Sequence, residues 1–192
     1  MRKEKALIGL LRGSLARARD LGEAFGALAL ALFGGRGLVV VDPRLPAFRA
    51  AARPVLERYL ARGEALTEAA RAAGRRLEAG AGRRPLPDAA LESFVFAIEG
   101  GVRRKLSLAE ARGEAGRGTL SPSVALRPVV QDAVLPSVTM ACGPGEIAYL
   151  AQLREVFAGL GVTPACPVPR LGLTWLPPAA VALLEAAGAD PW

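Results

Sequence analysis

The chain has 192 residues, enough for one domain with a sizeable core. Hydrophobic residues make up 52% and aromatics only 5%, so the core must be assembled from Ala, Leu and Val rather than from large rings. The formal charge is +7 and histidine is absent, which excludes histidine triads, histidine general bases and histidine-ligated metals from this chain.

In chain order, Leu15, Ala18, Leu21, Phe25, Leu28 and Leu32 recur at helical spacing, predicting a helix over 15–33 that Gly34-Gly35 stops. The apolar run 38–41, closed by Asp42-Pro43, reads as a short buried strand of a parallel sheet. Helical pattern resumes over 46–62, is interrupted at Gly63, and continues over 64–79. Arg71, Arg75 and Arg76 on the second of these fit a phosphate-binding face or, as charge runs usually do, a solvated one. A Gly/Pro/Arg linker over 80–88 leads to two short runs, 93–98 and 102–106, about Gly100-Gly101, which is a hairpin signal. The stretch 109–119 reads as a loop or weak helix. Ser121-Pro122 starts a turn, and Pro128 begins a short helix that Pro136 ends. A strand over 138–142, the turn Gly143-Pro144-Gly145 and a helix over 146–160 follow, with Ile147, Leu150, Leu153, Phe157 and Leu160 inward and Gly161 as C-cap. A short strand over 166–168 and a helix over 178–187 complete the chain.

The expected class is α/β: a partial Rossmann-like parallel sheet with flanking helices and a small inserted β-hairpin. The segments are a first part of the α/β core (1–82), an inserted hairpin and connection (83–119), and a return to the core (120–192).

Chemistry concentrates in 120–161. A strand followed by a Gly-Pro-Gly turn and a helix offers close backbone approach and unpaired N–H groups for a phosphate or carboxylate. Glu146 in the first turn can accept hydrogen bonds from an amine or hydroxyl; equally, it suits the helix dipole as an ordinary cap. The turn is neither a P-loop nor a GxGxxG fingerprint. Arg127, Gln131 and Asp132 bring a cation, an amide and a carboxylate onto one short helix, as a ligand-binding group or as an ion pair beside a surface glutamine. Tyr149 is a ligand contact or a packing group. Cys142 and Cys166 form neither a CxxC pair nor a four-cysteine zinc site, and read as reduced strand residues in apolar surroundings. No metal-ligand cluster is seen.

Lysine occurs only at positions 3, 5 and 105, so the positive charge is almost all arginine. Arginine suits phosphate and carboxylate recognition, but the excess also fits a generally Ala/Arg/Gly/Leu-heavy composition. The arginines are scattered and aromatics scarce, which disfavours a nucleic-acid binder. The apolar run 24–35 ends at Arg36, short of the roughly 20 residues a membrane span needs. Glu4 and Arg12 read against a signal peptide, so the expected setting is cytoplasmic.

Leu120-Ser121-Pro122, Leu126-Arg127-Pro128-Val129-Val130-Gln131-Asp132, Leu135-Pro136 and Gly143-Pro144-Gly145-Glu146-Ile147-Ala148-Tyr149 together resemble the bacillithiol biosynthesis cysteine-adding enzymes. Ala151-Gln152-Leu153 and Pro169-Arg170 extend the match. The resemblance implies a Rossmann-like ligase that joins cysteine to the amine of glucosaminyl malate, with ATP activating the carboxylate. It implies Asp132 and Glu146 as catalytic groups, and Arg127, Gln131, Gly143, Pro144, Gly145 and Tyr149 as substrate- or nucleotide-binding residues. Relative to that family this chain is short. It is expected to be an internal fragment without the N-terminal Rossmann half and the C-terminal coiled coil, which implies a companion chain supplying them or a non-catalytic remnant. Ser123, Cys142 and Gly172 stand where asparagine, glycine and serine are expected.

Overall fold

The computed structural model describes residues 2–117 and 120–189, with side chains from residue 5 onward. Two compact units divide it, 1–50 and 51–192.

In the first unit, helices α1 (Arg2–Arg17) and α2 (Leu21–Phe33) are joined by a break at 18–20. The single helix expected over 15–33 is therefore two. Asp20 causes the break: with extended backbone, its carboxylate accepts the Glu23 N–H at 3.0 Å and caps α2. Arg44 bonds to Asp20 and to Asp42, and holds the Asp20 carboxyl down at about 2. A 3₁₀ turn, Gly34–Arg36, then leads to Gly37 at φ 79°. The expected strand over 38–41 does not form. The run has no regular secondary structure, no strand among the described residues pairs with it, and Val39 is 78% exposed. An apolar run becomes a strand only where a neighbour takes up its backbone groups.

The second unit is built on α3 (Pro46–Ala81), whose first turn belongs to the preceding unit. The interruption expected at Gly63 is absent; a Cβ there would meet Leu108 Cδ2 at 2.6 Å, so glycine serves close packing against Leu108. Helix α4 (Asp88–Leu91) precedes the hairpin of β1 (Val95–Glu99) and β2 (Val102–Lys105). Gly100 and Gly101, at φ 57° and 81°, make the tight turn that two positive-φ residues allow. Helix α5 (Leu108–Gly113) starts on a reciprocal cap between Ser107 and Glu110; the last two residues of the stretch read as loop or weak helix, 118–119, lie outside the described residues. Ser121-Pro122 is not a turn but lies in β3 (Leu120–Pro122), antiparallel to β1, giving the order β2-β1-β3.

Helix α6 (Arg127–Val134) leads to β4 (Thr139–Cys142), then α7 (Pro144–Gln152) and α8 (Arg154–Leu160). The helix expected over 146–160 thus breaks at Leu153, and Gly161 caps it in the left-handed region at φ 66°. Strand β5 (Cys166–Pro169) runs parallel to β4, pairing Thr139 with Cys166 and Cys142 with Pro169. Helix α9 (Pro178–Ala186) follows.

The core is α3 with what packs on it. Buried Tyr59 stacks on Phe94 at 5.1 Å and its hydroxyl accepts the Phe94 N–H at 2.9 Å. Arg58 donates to the Leu160 carbonyl at 3.0 Å and Arg112 to that of Leu60 at 2.9 Å. Leu126, Val129, Val130, Leu153, Val156 and Phe157 complete the interior. The result is a mixed α/β chain with a small parallel sheet and a separate antiparallel hairpin sheet. No helix among the described residues is long and apolar enough to cross a membrane.

Candidate functional site

Strands β4 and β5 are parallel, so their carboxyl ends, Cys142 and Pro169, lie side by side. The carboxyl ends of parallel strands are where α/β folds place ligands. Here the chain leaves β4 through Gly143, and Arg170 follows β5, its N–H donating to the Cys142 carbonyl at 2.7 Å. Gly143 is the N-cap of α7 and Pro144 its first residue, a position that needs no N–H. A Cβ on Gly143 would meet Arg170 Nη2 at 3.0 Å, so a small residue lets the guanidinium close over the turn. Gly145 faces open space.

Glu146 occupies this turn from within. Its Oε2 accepts the Gly143 N–H at 2.7 Å and lies 3.9 Å from Arg170 Nη2. An anion arriving at the turn must therefore share the helix N-terminus with a carboxylate already compensating it. Tyr149 is half-buried one turn further on; burial raises its hydroxyl, Glu146 and Cys142 add to that, and Arg127 opposes it. Burial also pushes the Cys142 thiol up, reinforced by Glu146 and opposed by Arg170. Cys142 is fully buried, whereas Cys166 is exposed rather than in the apolar surroundings expected of it; both are free thiols.

On α6 the three polar residues separate. Arg127 is exposed at the helix start and within electrostatic range of Tyr149; Gln131 is half-buried. Asp132 turns inward: Oδ2 accepts the Ala165 N–H at 2.8 Å, while Oδ1 is buried without a partner and burial raises the carboxyl. The ion pair between Arg127 and Asp132 does not form.

Arg127, Asp132, Cys142, Glu146, Tyr149 and Arg170 thus share one electrostatic neighbourhood, each acting on at least one other. Arg170 was not among the site residues expected from sequence. Its signal is positional: it is the first residue past a parallel strand. Arg71, Arg75 and Arg76 of α3 are paired with Asp88, Glu68 and Glu155, forming a solvated ion-pair face. Among the described residues no group of three or more Cys, Asp or Glu could hold a metal ion.

The sequence matches the family described as bacillithiol biosynthesis BshC, N-terminal Rossmann-like domain, over residues 1–115 and 114–171. Relatives carry the name "Putative cysteine ligase BshC". That of Thermus thermophilus is 35% identical over 198 residues, covering 94% of this chain and 40% of its own length. Those of Koribacter versatilis and Solibacter usitatus are each 31% identical, covering 95% and 88% of this chain and 37% and 35% of their own lengths. The chain therefore spans between a third and two fifths of these relatives. With the match running through both core segments and the β4–α7 turn, the chain belongs to the BshC family of bacillithiol biosynthesis, in its Rossmann-like domain.

Proposed function

We propose that this chain is the Rossmann-like portion of a cytoplasmic cysteine ligase, which adds cysteine to the amine of glucosaminyl malate to form an amide. The observation that carries the reading is the meeting of Glu146 and Arg170 at the carboxyl ends of β4 and β5, with Tyr149 one turn on, Arg127 within electrostatic range of Tyr149 and Asp132 within that of Cys142, in a chain of this family. Amide formation replaces a C–O bond of the cysteine carboxylate with a C–N bond, and ATP supplies the activation that makes that oxygen a leaving group. The chain's own residues suit the remaining tasks. Arg127 and Arg170 can hold anionic groups by charge-assisted hydrogen bonds. Asp132, whose carboxyl burial raises, and Glu146 are the acceptors available for the amine proton. Gln131, Gly143, Pro144, Gly145 and Tyr149 would shape the ligand's seat.

A second reading, a binding module without catalysis, draws on the commitment of Glu146 to the Gly143 N–H. In that case a companion chain would provide the chemistry. Calorimetric titration of the purified chain with ATP, cysteine and glucosaminyl malate, singly and together, tests both. Binding of at least one is expected, weakened about tenfold or more by Arg127→Gln, as loss of a charged hydrogen bond implies. Amide product in the same mixtures supports the ligase; binding without product supports the module. Failure of all three to bind overturns the site.

A further inference from the structure

Most arginines of the second unit with an assigned contact face an acid. Arg104 on β2 pairs with Glu99 at 3.5 Å and Glu110 at 3.2 Å, and Arg112 with Glu64 at 2.7 Å. Arg103, its neighbour on β2, differs. Its guanidinium crosses β1, lies 4.3 Å above the Phe96 ring, and Nη2 donates to the Pro122 carbonyl of β3 at 3.0 Å. Among the described residues it has no carboxylate partner, and neither has Arg127.

The two lie close because β3 runs directly into α6. Pro122, which holds Arg103, is followed by Ser123, whose carbonyl accepts the Arg127 N–H at 2.8 Å. The guanidinium of Arg103 is disfavoured first by burial and then by the charge of Arg127. Guanidinium groups do not discharge in proteins, so two of them within electrostatic range of each other and without an acid remain an uncompensated positive pair. The Phe96 face and the Pro122 carbonyl fix Arg103 in advance, so little freedom is left to lose when an anion arrives.

We propose that Arg103 and Arg127 form a clamp for a doubly charged anion of the dicarboxylate or pyrophosphate class, so that the hairpin β1–β2 contributes to ligand binding. This rests on reading Arg127 as a site residue and extends that site to Arg103. Dicarboxylates and linked phosphates share the required chemistry, two anionic groups within reach of two planar forks.

The test is titration of the whole chain with malate and with pyrophosphate, for wild type and for Arg103→Gln, Arg103→Lys and Arg104→Gln. Arg103→Gln is expected to weaken binding of the preferred dianion about ten- to a hundredfold, the range of a charged hydrogen bond. Arg103→Lys should recover part of the loss, keeping the charge without the fork. Arg104→Gln removes the same charge from the adjacent residue, where acids already compensate it, and should leave binding within about twofold. Tighter binding of malate assigns the clamp to the dicarboxylate of a substrate; tighter binding of pyrophosphate assigns it to nucleotide phosphates. Equal losses in Arg103→Gln and Arg104→Gln would reduce the effect to net charge and overturn the proposal, as would wild-type binding by Arg103→Gln. Cysteine and glucosaminyl malate titrations report on the ligase reading separately, since a chain that binds neither can still bind the dianion.

Discussion

Asp132 holds its two carboxylate oxygens in different surroundings. One accepts the Ala165 N–H and so ties α6 to the segment entering β5, while the other is buried and unpartnered. Burial raises the carboxyl from its ordinary value, and the hydrogen bond only partly opposes this. The folded chain therefore holds the proton more tightly than the unfolded one. Stability from this group is fully present below the unfolded value near 4, and is lost as pH rises through the higher folded value. Asn at this position keeps an acceptor for Ala165 and carries no charge. Asp132→Asn is expected to be more stable than wild type at pH 7, by no more than about 1 kcal/mol given the partial exposure of the side chain. Denaturant midpoints should converge as the pH is taken below about 4. A constant gap from pH 3 to 7 would show that the buried oxygen is not titrating as argued.

At the scale of elements, Gln152 joins the end of α7 to α3 and to the segment that precedes α4. It is fully buried where α7 gives way to α8; its Oε1 accepts the Leu86 N–H at 2.8 Å. Its Nε2 donates to Ala70 of α3 at 3.1 Å and to the Leu86 carbonyl at 3.3 Å. Glycine at 74 makes room for it, since a Cβ there would lie 2.5 Å from Nε2. Gly74→Ala would gain about 1 kcal/mol of helix propensity in an isolated helix. Here it must push a side chain that cannot move without leaving buried polar groups unpaired, at about 1–3 kcal/mol each. A net loss of about 2 kcal/mol is expected, and Gln152→Ala alone should cost about 2–4 kcal/mol. The double variant should lose less than the sum, because the clash and the amide vanish together. Strict additivity in a denaturant double-mutant cycle would remove Gln152 as the reason for the glycine. None of this was visible in sequence, where Gln152 lies inside a predicted helix and its partners lie 66 and 82 residues away.

Across the whole molecule, what was legible was what local chemistry decides. Gly100-Gly101 announces its hairpin and Gly161 its helix end, because few other residues adopt their positive-φ conformations; Gly143-Pro144 announces its strand-to-helix turn because proline suits the first residue of a helix. The mixed α/β class was legible in the alternation of helical and strand-like runs, and the family in the motif string between Leu120 and Arg170. Pairing and close packing were not: the run 38–41 has strand composition without a partner, Ser121-Pro122 has turn composition inside a strand, and Gly63 reads as a break until Leu108 is placed against it. Within the candidate site, the Gly143–Glu146 turn was legible, whereas the inward turn of Asp132 and the approach of Arg170 depend on β5, distant in sequence. The same contrast separates the two units in stability. Among the described residues of the first unit only Ala24 and Gly26 are buried, while α3 alone buries ten. Helices of 16 and 13 residues gain little from propensity and depend on burial to persist in water. Native-state hydrogen exchange at neutral pH should therefore release the amides of α1 and α2 at least about a hundredfold faster than those of α3 between Val55 and Gly74. Protection of α1 equal to that of α3 would mean that its apolar residues, Leu7 and Leu15 among them at 50% and 54% exposure, are covered in solution by a second molecule. Dependence of the protection on protein concentration would then identify that molecule as another copy of this chain.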